Sequence, residues 1–175
     1  MPELDADQIH KGLWQGGRPP YGTALSEAGF DLLVLCAFEF QPPQASIAGL
    51  PIPVSLRGDP FPGVSLIHAP NDDDYFSPPT RDTLRVAVDA ADKVSKHIQQ
   101  GGNALVTCWQ GWNRSGLVSA LVLHKLLGWG GSKCAQHVAF KRKNALSNPQ
   151  FTAVLSKIPS GKTPLMPLLE EHLPL

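Results

Sequence analysis

Apolar positions along the chain fall into two kinds of run. Leu32 to Cys36 (LLVLC) is continuously apolar, the pattern of a strand covered on both faces, and Val64 to Ala69 and Ala104 to Thr107 read as two further short strands. Gly12 to Gln15 predicts a first strand that ends in a turn at Gly16-Gly17. Further on the period changes. Leu84, Val88, Ala91, Val94 and Ile98 recur at three- and four-residue steps between Ser77-Pro78-Pro79 and Gly101-Gly102, which predicts an amphipathic helix with a proline-marked start and a glycine stop. Leu117 to Leu127 is apolar on nearly every face, so that helix is expected to be buried. Two closing helices follow, one with the stripe Ala135, Val138, Ala139 and Arg142, the other capped by Asn148 and carrying Phe151, Val154, Leu155 and Ile158. The proline- and glycine-rich stretch from Phe38 to Pro62 is expected to be irregular, with at most one short helix around Ala45 to Ala48. Residues 159–175 read as an extended tail. There is no internal repeat.

Size limits what these elements can build. A chain of 175 residues, 42% of them hydrophobic, supports one core, so residues 1–175 are expected to form a single domain with its core at about 12–158. Lys plus Arg and Asp plus Glu are 15 each, so no overall field drives binding to nucleic acid or to an anionic membrane, and any phosphate recognition must be local. The opening MPELDADQIHKGLW lacks a basic stretch followed by an apolar run, and no window reaches the length of a membrane span; the chain reads as cytoplasmic. Cys36, Cys108 and Cys134 have no CxxC spacing, against both a disulfide framework and a zinc site. His10, His68, His97, His124, His137 and His172 are scattered without ligand spacing, so no metal and no cofactor is expected.

The chemistry is concentrated where a strand meets the buried helix. Val106-Thr107-Cys108-Trp109-Gln110-Gly111-Trp112-Asn113-Arg114-Ser115-Gly116 carries the pattern C-x5-R-S with glycine three positions after the cysteine. A phosphate needs several convergent backbone N–H donors, and a short loop running from a strand into a helix N-terminus supplies them with a favourable dipole. Gly111 permits the bend. The same donors stabilise a thiolate at Cys108, and Arg114 offers a planar fork to two phosphoryl oxygens. The plainer alternative makes Cys108 an inert core thiol and Arg114 a surface cation, but the strand-before, helix-after context that the motif requires is met.

On this motif the chain resembles the dual-specificity protein phosphatases of the protein tyrosine phosphatase superfamily. The resemblance runs from about Gly12 to Leu155: GLWQGG is similar to the family's opening strand, and Ala135-x-x-Val138 and Asn148-x-x-Phe151-x-x-x-Leu155 to its closing helices. It implies an α/β fold, a central mixed or mostly parallel sheet flanked by helices on both faces, with the cysteine loop at the sheet's carboxyl edge. It implies a cysteine-dependent phosphatase acting on a phosphorylated protein or small phosphoester through a phosphocysteine intermediate. Cys108 would be the nucleophile, Arg114 the clamp, Ser115 the hydrogen-bond donor to the departing thiolate, and Trp109 to Asn113 the phosphate-binding loop. The family takes its general acid from a loop after an upstream strand, here Ala69-Pro70-Asn71-Asp72-Asp73-Asp74; the usual spacing from the proline selects Asp73, and a gap of one selects Asp72.

Two features set this chain apart. The family usually has histidine before the nucleophile, and here Thr107 stands there, which leaves a phosphate-binding pseudophosphatase as the alternative. Phosphoinositide phosphatases of the superfamily carry lysines in the cysteine loop, whereas this one has Trp109 and Trp112, which points to a phosphoprotein. Trp112 is placed equally at the pocket lip or in packing, and Trp109 in packing. Low-molecular-weight tyrosine phosphatases open with their C-x5-R-S motif, which Cys108 does not, and a rhodanese-type sulfurtransferase ranks third. Cys36 ends an apolar strand and Cys134 begins a helix, both expected to be inert.

Overall fold

The computed structural model describes residues 4–38 and 58–171. The short helix expected around Ala45 to Ala48 lies outside the described residues. Five strands, β1 (Ala6–His10), β2 (Leu13–Gly16), β3 (Leu32–Leu35), β4 (Ser65–His68) and β5 (Ala104–Thr107), form one sheet in the order β1-β2-β5-β3-β4. β1 and β2 are an antiparallel hairpin, and every other neighbouring pair is parallel. The sheet is therefore mixed, as expected. Every residue of β3 and β5 is buried, so both faces of the central pair are covered, which is why their sequences are apolar without alternation.

Helices α1 (Ala24–Glu27), α2 (Arg81–Gln99), α3 (Arg114–Leu127), α4 (Gly131–Lys141), α5 (Pro149–Leu155) and α6 (Leu165–Glu170) flank the sheet. α2 starts at Thr80, whose hydroxyl accepts from the Thr83 N–H at 3.1 Å, and it buries Leu84, Ala87, Val88, Ala91 and Val94 along one face. α3 is buried continuously from Ser115 to His124, the consequence of being apolar all round. It packs against α2, α4, β2 and β5 and so fixes where its own first turn, and the loop before it, must lie.

One expectation needs correction, and one strand went unread. The tail is not extended throughout: Leu165 and Leu169, four residues apart on α6, are buried against α2, and the Arg81 Nε–Glu170 Oε1 pair at 2.8 Å ties down its end. Apolar burial at a helical spacing outweighed the prolines around it. β1 was not legible as a strand, because ADQIH buries only Ile9 and carries polar residues on its edge side.

Candidate active site

β5 ends at Thr107, in register with Gly16 of β2 and Leu35 of β3, so the Cys108–Asn113 loop emerges between two parallel neighbours at their carboxyl ends. The Cys108 N–H donates to the Gly16 carbonyl at 3.3 Å and the Arg18 N–H to the Trp109 carbonyl at 3.1 Å, anchoring the loop's first residues to the end of β2. The chain then bends at Gly111, φ +69°, into the first turn of α3. No other residue fits: a Cβ there would lie 2.4 Å from the Gly16 carbonyl carbon and 2.6 Å from an Arg142 nitrogen.

Cys108, Trp109, Gln110, Trp112, Asn113 and Arg114 line an open cleft of about 210 Å³ together with Asp73 and Tyr75. Cys108 is 3% exposed, and its Sγ lies 3.2 Å from the Ser115 hydroxyl, itself fully buried on the first turn of α3. Trp109, expected to pack against neighbouring loops, is instead 45% exposed on the cleft wall. Thr107 is fully buried, and its hydroxyl donates to the Val34 carbonyl at 2.8 Å, stitching β5 to β3 rather than serving the loop.

The three consecutive aspartates go to three different places. Asp72 is exposed and lines a side cleft with Asp74, Ser77 and Thr80. Asp74 accepts the Phe76 N–H at 2.8 Å, and that bond, with the Ser77 hydroxyl, holds its carboxyl below the ordinary carboxylate range. Asp73 alone shares the cleft with Cys108, and each of its oxygens takes an amide donor: Oδ1 from Asn148 Nδ2 at 2.7 Å, Oδ2 from Asn113 Nδ2 at 3.1 Å. Asn113 also donates to the Tyr75 hydroxyl at 2.6 Å and accepts, through Oδ1, the Ser147 hydroxyl at 3.2 Å and the Asn148 N–H at 3.0 Å. Asn148 caps α5 as its sequence suggests, accepting from the Gln150 N–H at 2.9 Å, and turns its amide nitrogen toward the acidic loop.

Sequence reasoning missed Arg142. It was counted with the stripe of α4, but it sits past that helix's end in extended conformation, φ −126°, with its side chain folded inward and 6% exposed. Its guanidinium donates to the Gly111 carbonyl at 2.7 Å and the Gln110 carbonyl at 2.9 Å, and pairs with Asp5 and Asp7 of the β1 segment, both at 2.9 Å. Gln15 Nε2 donates to the same Gly111 carbonyl at 2.9 Å. The connection after Arg142 is strained, with Asn144 and Leu146 both at positive φ, and the Leu146 N–H reaches the Trp112 carbonyl at 3.1 Å. The available signal was an arginine at a helix end followed by the non-helical Lys-Asn run.

The remaining cysteines are free and buried, as expected of inert thiols. Burial, then the neighbouring Cys108, pushes the Cys36 thiol well above the ordinary cysteine range against the opposing pull of Arg114. Burial pushes Cys134 up to about 11. Among the described residues no cluster of His, Cys, Asp or Glu could hold a metal ion, and no helix is long and apolar enough to cross a membrane.

No family model matches the chain. Over 64 residues it is 36% identical to "Dual specificity protein phosphatase 1B" of Arabidopsis thaliana, a match covering 37% of this chain and 38% of that relative, so well under half of either is shared. Among solved structures, human DUSP28 superposes with a TM-score of 0.67 at 24% identity, over 90% of this chain and 93% of that one. PTPMT1 in complex with PI(5)P superposes with a TM-score of 0.67 at 14% identity, over 96% and 98%. In the shared stretch of sequence the chain resembles the Arabidopsis dual specificity protein phosphatase, and its fold is that of the solved structures of DUSP28 and PTPMT1.

Proposed function

We propose that the chain is a cysteine-dependent phosphatase, working as a single domain in the cytoplasm and hydrolysing phosphotyrosine, with phosphoserine and phosphothreonine esters as further substrates. One observation carries the reading: Cys108, Arg114 and Asp73 line one cleft, with Ser115 Oγ 3.2 Å from the Cys108 sulfur. In the first step the Cys108 thiolate attacks phosphorus, the bond to the ester oxygen breaks, and Asp73 delivers a proton to that oxygen. The loop N–H groups, the N-terminus of α3 and the Arg114 fork stabilise the charge on the equatorial oxygens, the task a metal ion performs elsewhere. In the second step water attacks the phosphocysteine, Asp73 accepts its proton, and the thiolate leaves toward the Ser115 hydroxyl. The acid is Asp73 rather than Asp72, since Asp72 faces the side cleft. Aromatic rather than cationic loop residues, Trp109 and Trp112, favour a phosphoprotein over an inositol polyphosphate.

A second reading, a noncatalytic module that binds phosphorylated partners, is favoured by the engagement of Thr107 with Val34. Its hydroxyl is spent in the sheet and carries no positive charge, so thiolate stabilisation falls to the loop amides, the helix dipole, Arg114 and the Ser115 hydroxyl. Hydrolysis of p-nitrophenyl phosphate, with and without orthovanadate, separates the two. Wild type should turn over and be blocked by vanadate, while Cys108→Ser should turn over nothing and still bind tungstate. Tungstate binding without any turnover by wild type would establish the noncatalytic reading.

A further inference from the structure

The cleft needs its loop N–H groups aimed inward, and an unoccupied loop of this shape has every reason to relax. Six residues in succession must forgo regular structure with several donors facing one point, an arrangement that repels itself electrostatically. Something outside the cleft must oppose this.

A trans peptide bond places the C=O and the following N–H on opposite edges of one plane. The carbonyl of Gln110 therefore aims the Gly111 N–H, and the carbonyl of Gly111 aims the Trp112 N–H. Both carbonyls are held by Arg142, at 2.9 Å and 2.7 Å, and Arg142 is not among the residues lining the cleft. A cation on the carbonyl edge also polarises the amide and strengthens its N–H as a donor. Simple attachment of β1 to α4 does not require this arrangement. β1 packs on α4, Ile9 of β1 and Val138 of α4 are both buried in the core, and His137 Nε2 already bonds the Ile9 carbonyl at 2.9 Å. Ion pairs to carboxylates as exposed as those of Asp5 and Asp7 also add little stability.

We propose that Arg142 is a positioning residue for the oxyanion-binding loop: it holds two successive peptide planes with their N–H edges toward the cleft, and Asp5 and Asp7 hold Arg142 in turn. The proposal rests on reading the cleft as a phosphate site. It makes the β1 segment, remote in sequence from Cys108, part of the apparatus that shapes the loop, and it gives Gln15 an auxiliary place as second donor to Gly111.

The test compares wild type with Arg142→Met, Arg142→Lys and Asp5→Asn/Asp7→Asn, reading tungstate Kd by calorimetry, kcat and KM on p-nitrophenyl phosphate, and Tm. Arg142→Met should raise the tungstate Kd on the order of ten- to a hundredfold, as when charge-assisted donors are misaimed, and lower kcat on the order of a hundredfold. Arg142→Lys, whose ammonium cannot span both carbonyls, should recover part of both. The paired Asp→Asn variant alters partly exposed side chains, keeps Arg142 and stays folded; it should weaken tungstate binding severalfold. Unchanged tungstate affinity and kcat in Arg142→Met, with only Tm lowered, would make Arg142 a strut and overturn the proposal. If Arg142→Met does not fold, unchanged affinity in the paired Asp→Asn variant overturns it instead. Arg142-dependent tungstate binding without ester hydrolysis by wild type would sink the phosphatase reading and leave this one standing, and a wild type with no tungstate affinity would sink both.

Discussion

Asp73→Asn is the substitution whose effects the structure constrains most tightly, because it acts on chemistry and on the local network at once. Asp73 presents two oxygens, each facing an amide NH2, at 2.7 Å from Asn148 and 3.1 Å from Asn113. Asparagine offers one acceptor and one donor. Whichever way it turns, one NH2 meets another, and a hydrogen bond to a charged group is lost at a partly buried site, costing about 1–3 kcal/mol. For a chain of this size that corresponds to a fall in Tm of roughly 2–4 °C per kcal/mol. The catalytic effect should depend on the leaving group: on phenyl phosphate, whose phenolate needs the proton, kcat should fall on the order of 10²-fold or more, and on p-nitrophenyl phosphate by less than about tenfold. Asp72→Asn, at an exposed site in the side cleft, should change neither Tm nor kcat. Steady-state kinetics on both esters, with thermal melts, check this. Equal losses on the two esters would show that Asp73 shapes the loop without supplying a proton, and a leaving-group-dependent loss in Asp72→Asn would transfer the role.

Further outcomes follow from other contacts. Gly111→Ala must accommodate a Cβ 2.4 Å from the Gly16 backbone at φ +69°, costing roughly 2–5 kcal/mol, and should abolish tungstate binding; a melt and a calorimetric titration would read both, and retained binding would refute the close approach. Iodoacetamide on native protein at pH 8 should label Cys108 alone, since Cys134 ionises only near 11 and Cys36 well above the ordinary range; peptide mass mapping showing Cys36 labelled first would contradict its burial. Asp31 is pushed up by its burial, but its bonds from His97 and the Asn103 N–H outweigh this and hold its carboxyl below 3.8. Its contribution is therefore complete above the unfolded value and lost as pH falls through the lower folded one, so Asp31→Asn should flatten the decline of Tm seen in acid melts below about pH 4.

The site was readable from sequence where its chemistry is local. Cys108, Arg114 and Ser115 sit at fixed spacing between a strand and a helix, and that spacing alone predicts the loop that joins the end of β5 to the first turn of α3. Among three adjacent aspartates the spacing from the proline favoured Asp73 and left Asp72 open, because what holds Asp73 at the cleft is Asn113 and Asn148 reaching it from 40 and 75 residues away. Arg142 was hidden for the same reason: its partners are 31 to 137 residues distant, and on a helical stripe it is indistinguishable from a solvated cation. In the fold, continuous apolar runs located β3 and β5, whose burial is complete, whereas β1 and α6 each present a single narrow apolar edge and carry too weak a periodicity to announce themselves.

The contacts between Arg142 and the hairpin also impose a schedule on synthesis. The partners Asp7 and Arg142 are separated by 135 residues, about 7 to 27 seconds of elongation at ordinary rates. Gly111 itself leaves the ribosome 31 residues before the arginine that holds it, an interval of roughly 2 to 6 seconds. Throughout that interval the nascent chain already contains Cys108, β2 and β3, and lacks the brace that fixes the loop. Maturation of the thiol's surroundings is thus a late event of biogenesis, and a translation product halted before residue 142 carries the whole C-x5-R-S motif without the architecture that organises it.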